Sequence, residues 1–135
     1  MAVVIKDVAE MQQVADRLRV KGERIGVVPT MGFLHRGHLK LIEVAKKHAD
    51  VVITTIFVNP TQFGPSEDFT RYPRDLERDI TLASEAGTGY IFAPETQAIY
   101  PPGYHTYVDV QRVTEVLEGK SRPGHFRGVA TVVAK

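Results

Sequence analysis

No cysteine occurs among the 135 residues. Disulfides, cysteine-ligated zinc and thiolate catalysis are therefore excluded, and the redox compartment stays open. Long apolar runs are missing as well. The longest are VVITTIFV at 51–58 and GVATVV at 128–133, far short of the ~20 residues a helix needs to cross a bilayer. Neither sign of charge dominates. The 17 basic residues nearly match the 16 acidic ones, for a formal net charge of +1. No global field draws in a polyanion, so nucleic-acid binding is not expected. There is no internal repeat and no low-complexity segment. Asp7 and Glu10 interrupt the N-terminus before a secretory-type apolar stretch develops. The expectation is a soluble, cytoplasmic protein without membrane contact. What is present is an ordinary globular composition, 43% hydrophobic and 24% charged, at a length that suits one domain.

Short apolar runs alternate with amphipathic stretches. VVI at 3–5 suits a short strand or an entry segment. Asp7 with Glu10 three residues later has the form of a capping box, and Val8, Met11, Val14, Ala15 and Leu18 continue at helical spacing up to Gly22. RIGVV at 24–28 reads as a buried strand ended by Pro29. A second helix is expected from Arg36 to His48, with Leu39, Leu41, Ile42, Val44 and Ala45 as a wide apolar face and Lys40, Glu43 and Lys47 opposite. VVITTIFV, rich in β-branched residues, reads as a central parallel strand. Residues 59–73 form a long loop, of a length more often functional than not. Pro73 is expected to open a third helix with Leu76, Ile80 and Ala83 buried and Gly87 at its end. Asp75, Glu77, Arg78 and Asp79 then read as its exposed face, and KKH at 46–48 as a solvated helix end. Arg71 and Arg74 flank the loop within reach of a phosphate, though surface charge is the simpler reading. GYIFAP at 89–94 is a further strand, ETQAIYPPGYHT a loop, YVDV at 107–110 a short strand, VTEVLEG at 113–119 a short helix and SRPGHFRG a loop. VATVVAK begins a new apolar element.

Strand–helix–strand order at this spacing means crossovers and a parallel sheet. Ligands of such sheets bind beyond the carboxyl ends of the strands. The loops after 24–28 and 51–58 are thus expected to carry the function. In the first, PTMGFLHRGHL, His35 and His38 stand three apart at a helix start, with Gly37 between them and Gly32 at the turn out of the strand. Helix N-termini attract phosphate, and imidazoles there add donors for charge on phosphoryl oxygens. Three readings stay open on spacing alone: a nucleotide-phosphate site, two exposed surface histidines, or a zinc site, the last lacking a nearby third ligand. In the second loop, Gln62 and Asn59 suit the hydroxyl and carboxylate oxygens of a small substrate; Asn59 is equally at home as a turn residue before Pro60. Phe57 and Phe63 read as core or pocket wall. His125 either lines the same pocket or sits on a surface loop.

Three segments together, VPTMGFLHRGHLKLI at 28–42, IFVNPTQFGPSEDFTRYPRDLERD at 56–79, and YPPG at 100–103 followed by LEGKSRPGHFRGVATVV at 117–133, resemble the pantothenate synthetase (pantoate–β-alanine ligase) family. They stand in family order and spacing. HxGH by itself is shared by a superfamily of nucleotidyl transferases; joined to FVNPTQFG and RPGHFRGV it is specific. The resemblance implies an α/β fold of HxGH nucleotidyl-transferase type, a Rossmann-like parallel sheet with helices on both faces, with residues 1–135 as an N-terminal ATP- and pantoate-binding domain. It implies a two-step reaction. The carboxylate of (R)-pantoate attacks the α-phosphorus of ATP and releases diphosphate; the amine of β-alanine then attacks the pantoyl adenylate and releases AMP. Carried over by motif, Met31, Gly32, Phe33, Leu34, His35, Arg36, Gly37 and His38 form the ATP-binding segment. His38 is the proton donor, and His35 assists at the phosphates. Gln62 holds pantoate near the β-alanine site, and Asn59, Val129 and Val132 line the pantoate pocket. Residues 63–72 form a flexible cover, Mg²⁺ arrives with ATP, no metal is held by protein ligands alone, and two copies form a homodimer.

The family's KDxQQ and SSRN segments, which supply further phosphate, metal and pantoate ligands, are not found in these 135 residues. Family members run to about twice this length and carry a small C-terminal domain. The expectation is a fragment of such a ligase, inactive alone. Two alternatives remain: a non-catalytic nucleotide-binding or dimerisation fragment, and an HxGH nucleotidyl transferase with another acceptor.

Overall fold

The computed structural model describes all 135 residues. Strand β1 (Val3–Ile5) leads into helix α1 (Val8–Val20), strand β2 (Ile25–Thr30), helix α2 (Arg36–His48) and strand β3 (Val51–Ile56). Helix α3 (Leu76–Ala86) and strand β4 (Tyr90–Phe92) follow. The remainder is a one-turn helix α4 (Thr96–Ile99), a one-turn helix α5 (Glu118–Ser121) and helix α6 (His125–Ala134). All strand pairs are parallel, in the order β1–β4–β3–β2. Alternating side chains feed two cores. Val28, Val52 and Ile91 pack with Ile42 of α2 and Ala83 of α3. Ile5 and Ile53, on the other face, pack with Met11, Val14 and Leu18 of α1. Helices therefore cover both faces, as a parallel sheet requires.

Local chemistry explains the boundaries. Asp7 caps α1, accepting from the Glu10 backbone N–H at 2.8 Å. Helix α3 begins later than Pro73 suggests, because Asp75 is its N-cap and accepts from the Arg78 N–H; an Asx cap outweighs a proline two positions upstream. Pro29 does not end β2. It lies inside the strand, opposite Thr55, which an edge strand tolerates because one side of its backbone needs no ladder partner.

Other expectations need correcting. Leu41 and Val44 are exposed, so the buried face of α2 is the narrower stripe of Leu39, Ile42 and Ala45. The 59–73 loop carries two 3₁₀ turns, Pro60–Gln62 and Phe69–Arg71. The ETQAIYPPGYHT segment contains α4. Residues 107–110 form no strand, since no neighbouring strand is placed to pair with them. VTEVLEG is a 3₁₀ turn (Val113–Glu115) running into α5. The last helix starts at His125, inside the segment read as a loop. Asp79 is not exposed at all: it is 1% accessible. No helix is long and apolar enough to cross a membrane.

Candidate functional site

A cleft of about 700 Å³ opens on the α1 face of the sheet. Its floor includes Val27, Ile53 and Phe92, α1 forms one wall, and α6 the other. At the carboxyl ends of β2 and β3 it is bounded by Met31, His38, Gln62 and Tyr72. Residues from the loops after two different strands thus share one crevice, where strand-end rules place ligands.

The first loop is built around a sharp reversal. Gly32 and Phe33 have φ of +79° and +52°, a left-handed pair that turns the chain from β2 towards α2. His35 is the N-cap of α2; its Nδ1 accepts the Gly37 N–H at 3.0 Å. Reciprocally, Nδ1 of His38 accepts the His35 N–H at 3.2 Å. A ring nitrogen that accepts carries no proton, so each neutral imidazole holds its proton on Nε2. Nε2–H of His38 is the free donor of a ring that borders the cleft. The two ring centroids are 4.1 Å apart. Burial pushes the His38 pKa down from the ordinary histidine value, the neighbouring His35 lowers it further, and Asp79 opposes both.

The second loop fixes Gln62 from several sides. Asn59 has no accessible surface. Its Oδ1 accepts from Thr61 N–H (3.2 Å) and Thr61 Oγ1 (2.7 Å). Its Nδ2 donates to the Gly128 carbonyl (3.0 Å) and to Oε1 of Gln62 (3.0 Å). One neighbour can only donate and the other can only accept, so the amide orientation is set. That in turn makes Oε1 of Gln62 the acceptor and leaves the Nε2 amine without a protein partner. The Gln62 carbonyl accepts from the Nδ1 of His125 at 3.0 Å. The cleft thereby receives two donors of defined chemistry, Nε2–H of His38 and Nε2 of Gln62.

The expected site residues divide accordingly. Met31, His38, Gln62, Val129 and Val132 line the cleft. His35 lies outside it, behind His38. Leu34 is in the core, 1% accessible. Phe33 and Arg36 are exposed, and Gly32 is buried at the turn. Gly37 is explained by packing: a Cβ there would stand 2.8 Å from the His35 ring. Asn59 is buried behind the cleft lining and is joined to it by its bond to Gln62. His125 likewise holds the Gln62 backbone. Arg74 is spent on the carbonyls of Phe69, Thr70 and Tyr72. Residues 63–72 are pinned by the ion pair between Glu67 and Arg122 and by Phe63 packed edge-on to Phe69 and Tyr72. No group of three His, Asp or Glu side chains is placed to hold a metal ion; the donor set near His35 and His38 is two imidazoles, too few for a protein-held zinc.

The residue that sequence reasoning missed is Asp79. A signal was available. Leu76, Ile80 and Ala83 define the buried stripe of α3, and position 79 falls inside it.

Comparison with known proteins follows the same lines. The family model for pantoate-beta-alanine ligase matches residues 3–135. Pantothenate synthetase of Chloroherpeton thalassium is 59% identical over 132 residues, 98% of this chain and 46% of that protein; that of Chlorobaculum tepidum is 58% identical with the same coverage. Among solved structures, pantothenate synthetase from Thermus thermophilus matches with a TM-score of 0.89 at 51% identity, over 98% of this chain and 46% of that one. Pantoate-beta-alanine ligase from Francisella tularensis, complexed with beta-gamma ATP and β-alanine, matches with a TM-score of 0.89 at 41% identity, over 99% and 51%. The chain spans about half the length of the curated relatives it matches. On sequence and on architecture alike, the chain belongs to the pantoate–β-alanine ligase family.

Proposed function

We propose that residues 1–135 are the ATP- and pantoate-binding domain of a pantoate–β-alanine ligase. The reading rests above all on the convergence of His38 and Gln62 from separate strand ends into one cleft. ATP enters with Mg²⁺ as part of the substrate, and its phosphates lie near the start of α2. Nε2–H of His38 meets the oxygens on which charge develops as the pantoate carboxylate attacks the α-phosphorus and diphosphate leaves. The free Nε2 amine of Gln62 donates to pantoate oxygens, and Val129 and Val132 pack against its gem-dimethyl carbon. Holding the two reactants in one crevice supplies much of the acceleration by orientation alone. In the second step the β-alanine amine displaces AMP from the acyl carbonyl. The family relative solved with a nucleotide and β-alanine supports the ATP and β-alanine parts of this set. The homodimer is proposed on the resemblance, with the exposed Val110, Val113, Val116 and Leu117 as apolar side chains that a second copy would cover. Cytoplasmic location is proposed on the same resemblance.

Calorimetry tests the reading. ATP–Mg²⁺ should bind the chain, and His38→Ala should weaken binding by about tenfold or more through loss of a charge-assisted hydrogen bond. Gln62→Ala should weaken pantoate and leave ATP nearly unchanged. No heat from ATP–Mg²⁺ with the unaltered chain overturns the assignment and favours a bare scaffold.

A further inference from the structure

Asp79 lies on α3, outside both loops that form the cleft, and is 1% accessible. Its two carboxylate oxygens each take one backbone donor from the loop after β2. Oδ2 accepts the Phe33 N–H at 2.7 Å, and Oδ1 accepts the Leu34 N–H at 2.7 Å. These donors converge because Gly32 and Phe33 are both left-handed, a backbone form that gathers successive N–H groups towards one anion. Phe33 adopts that form against the steric preference of a non-glycine residue, so something outside the loop must hold it there. The neighbouring Arg78 supplies the complementary contact, donating Nη1 to the Leu34 carbonyl at 3.1 Å. Gly32 also fits the arrangement: a Cβ there would stand 2.9 Å from Oδ2. One residue after this clamp comes His35, whose N–H fixes Nδ1 of His38.

We propose that Asp79 is a positioning residue for the ligase site: its buried carboxylate locks the Gly32–Leu34 turn and so aims the Nε2–H of His38 at the cleft. The nucleotide part of this claim rests on the proposed function; the mechanical part does not. By occupying the N–H groups of Phe33 and Leu34, the carboxylate also removes them from the set that phosphate can use. A buried charge held by two short bonds to neutral donors, with only a half-exposed arginine at 3.9 Å, is expensive to keep unless the geometry it imposes is needed.

The test compares Asp79→Asn with Ala83→Gly, one turn further along the same helix. An amide at 79 can accept from one N–H but turns its own donors on the other. Ala83→Gly weakens the same helix and core without touching the loop. In Asp79→Asn, amide exchange at Phe33 and Leu34 should accelerate about tenfold or more. The nitrogen NMR signals of His38 should lose the single Nε2–H tautomer, and the Kd for ATP–Mg²⁺ should rise about tenfold or more. Ala83→Gly, measured where both variants remain folded, should keep the tautomer and the Kd. An unchanged tautomer in Asp79→Asn, or an equal change in Ala83→Gly, overturns the proposal. The unaltered chain gives an independent arm that needs neither a variant nor a nucleotide: Phe33 and Leu34 amides exchanging as fast as open loop amides also overturn it. Absence of ATP binding by the unaltered chain removes the functional reading instead, and exchange and tautomer then decide the positioning claim alone.

Discussion

Asn59 shows how much of this site is held by groups buried behind the cleft lining. All four hydrogen-bonding capacities of its amide are used, two towards Thr61, one towards Gln62 and one towards the Gly128 carbonyl. Asn59→Asp keeps the shape and removes both donors. It leaves the Gly128 carbonyl unpaired and sets a buried carboxylate against it. Denaturant unfolding should register a loss of about 2 kcal/mol or more, and pantoate binding should fall with it, because Gln62 is then free to rotate. A midpoint unchanged from the parent chain would show that the network is decorative. Gly128 is the other half of the joint. A Cβ there would collide with the Thr61 carbonyl, so only glycine lets α6 approach the turn that carries Gln62. At this scale the sequence was half legible. His38 and Gln62 could be nominated from residue type and place. Spacing alone puts Asp79 in the buried stripe of α3, but its partners Phe33 and Leu34, like the Gly128 partner of Asn59, lie far along the chain, and what a buried polar group binds is a tertiary fact.

The elements were legible where period and caps agree. Helix α2 runs over the span its pattern predicts, and β3 is the interior strand its β-branched run implies. Legibility fails after residue 100. YVDV has strand-forming residues, yet β-propensity is expressed through cross-strand partners, and none lies alongside it. VATVV is as β-branched as a strand, yet it forms α6, whose buried Gly128 and Thr131 stand three apart on one helical face. Between these elements the 59–73 loop is tied, through Glu67, to Arg122, the residue that follows α5. The Arg122 side chain holds the Glu67 carboxyl below the usual carboxylate range. A depressed pKa in the fold means that the tie contributes above the ordinary carboxylate pKa and is lost as pH falls through the lowered value. Limited proteolysis should therefore cut residues 63–72 faster in acid, and Arg122→Gln should reproduce the fast cutting at neutral pH. Equal rates for Arg122→Gln and the parent chain would show that aromatic packing around Phe63, not the ion pair, holds the loop.

On the scale of the whole molecule, two facts pull apart. The chain forms two cores and a cleft of about 700 Å³, so a crevice for a ligand exists within these residues. Turnover asks for more. In the family resemblance the KDxQQ and SSRN segments supply further phosphate and pantoate ligands, and neither is found here. Each absent transition-state donor lowers a rate by ~10²–10³, whereas ground-state binding tolerates such losses far better because it is not selective for the transition state. The 135-residue chain should then bind without reacting. Ligand at a hundredfold excess over its Kd stabilises the folded state by about 2.7 kcal/mol, which for a domain of this size lifts the melting temperature by roughly 10 °C. Thermal melts with ATP–Mg²⁺ and pantoate should show that rise, while pantothenate stays undetectable in a parallel assay with β-alanine. Burial and the neighbouring His35 lower the His38 pKa, a bound polyanion acts in the opposite direction, and the thermal shift should grow as pH falls through the histidine range. A shift that is flat with pH removes His38 from the phosphate site. Pantothenate formed as fast as by a full-length relative would place all the essential donors within these two strand-end loops and α6.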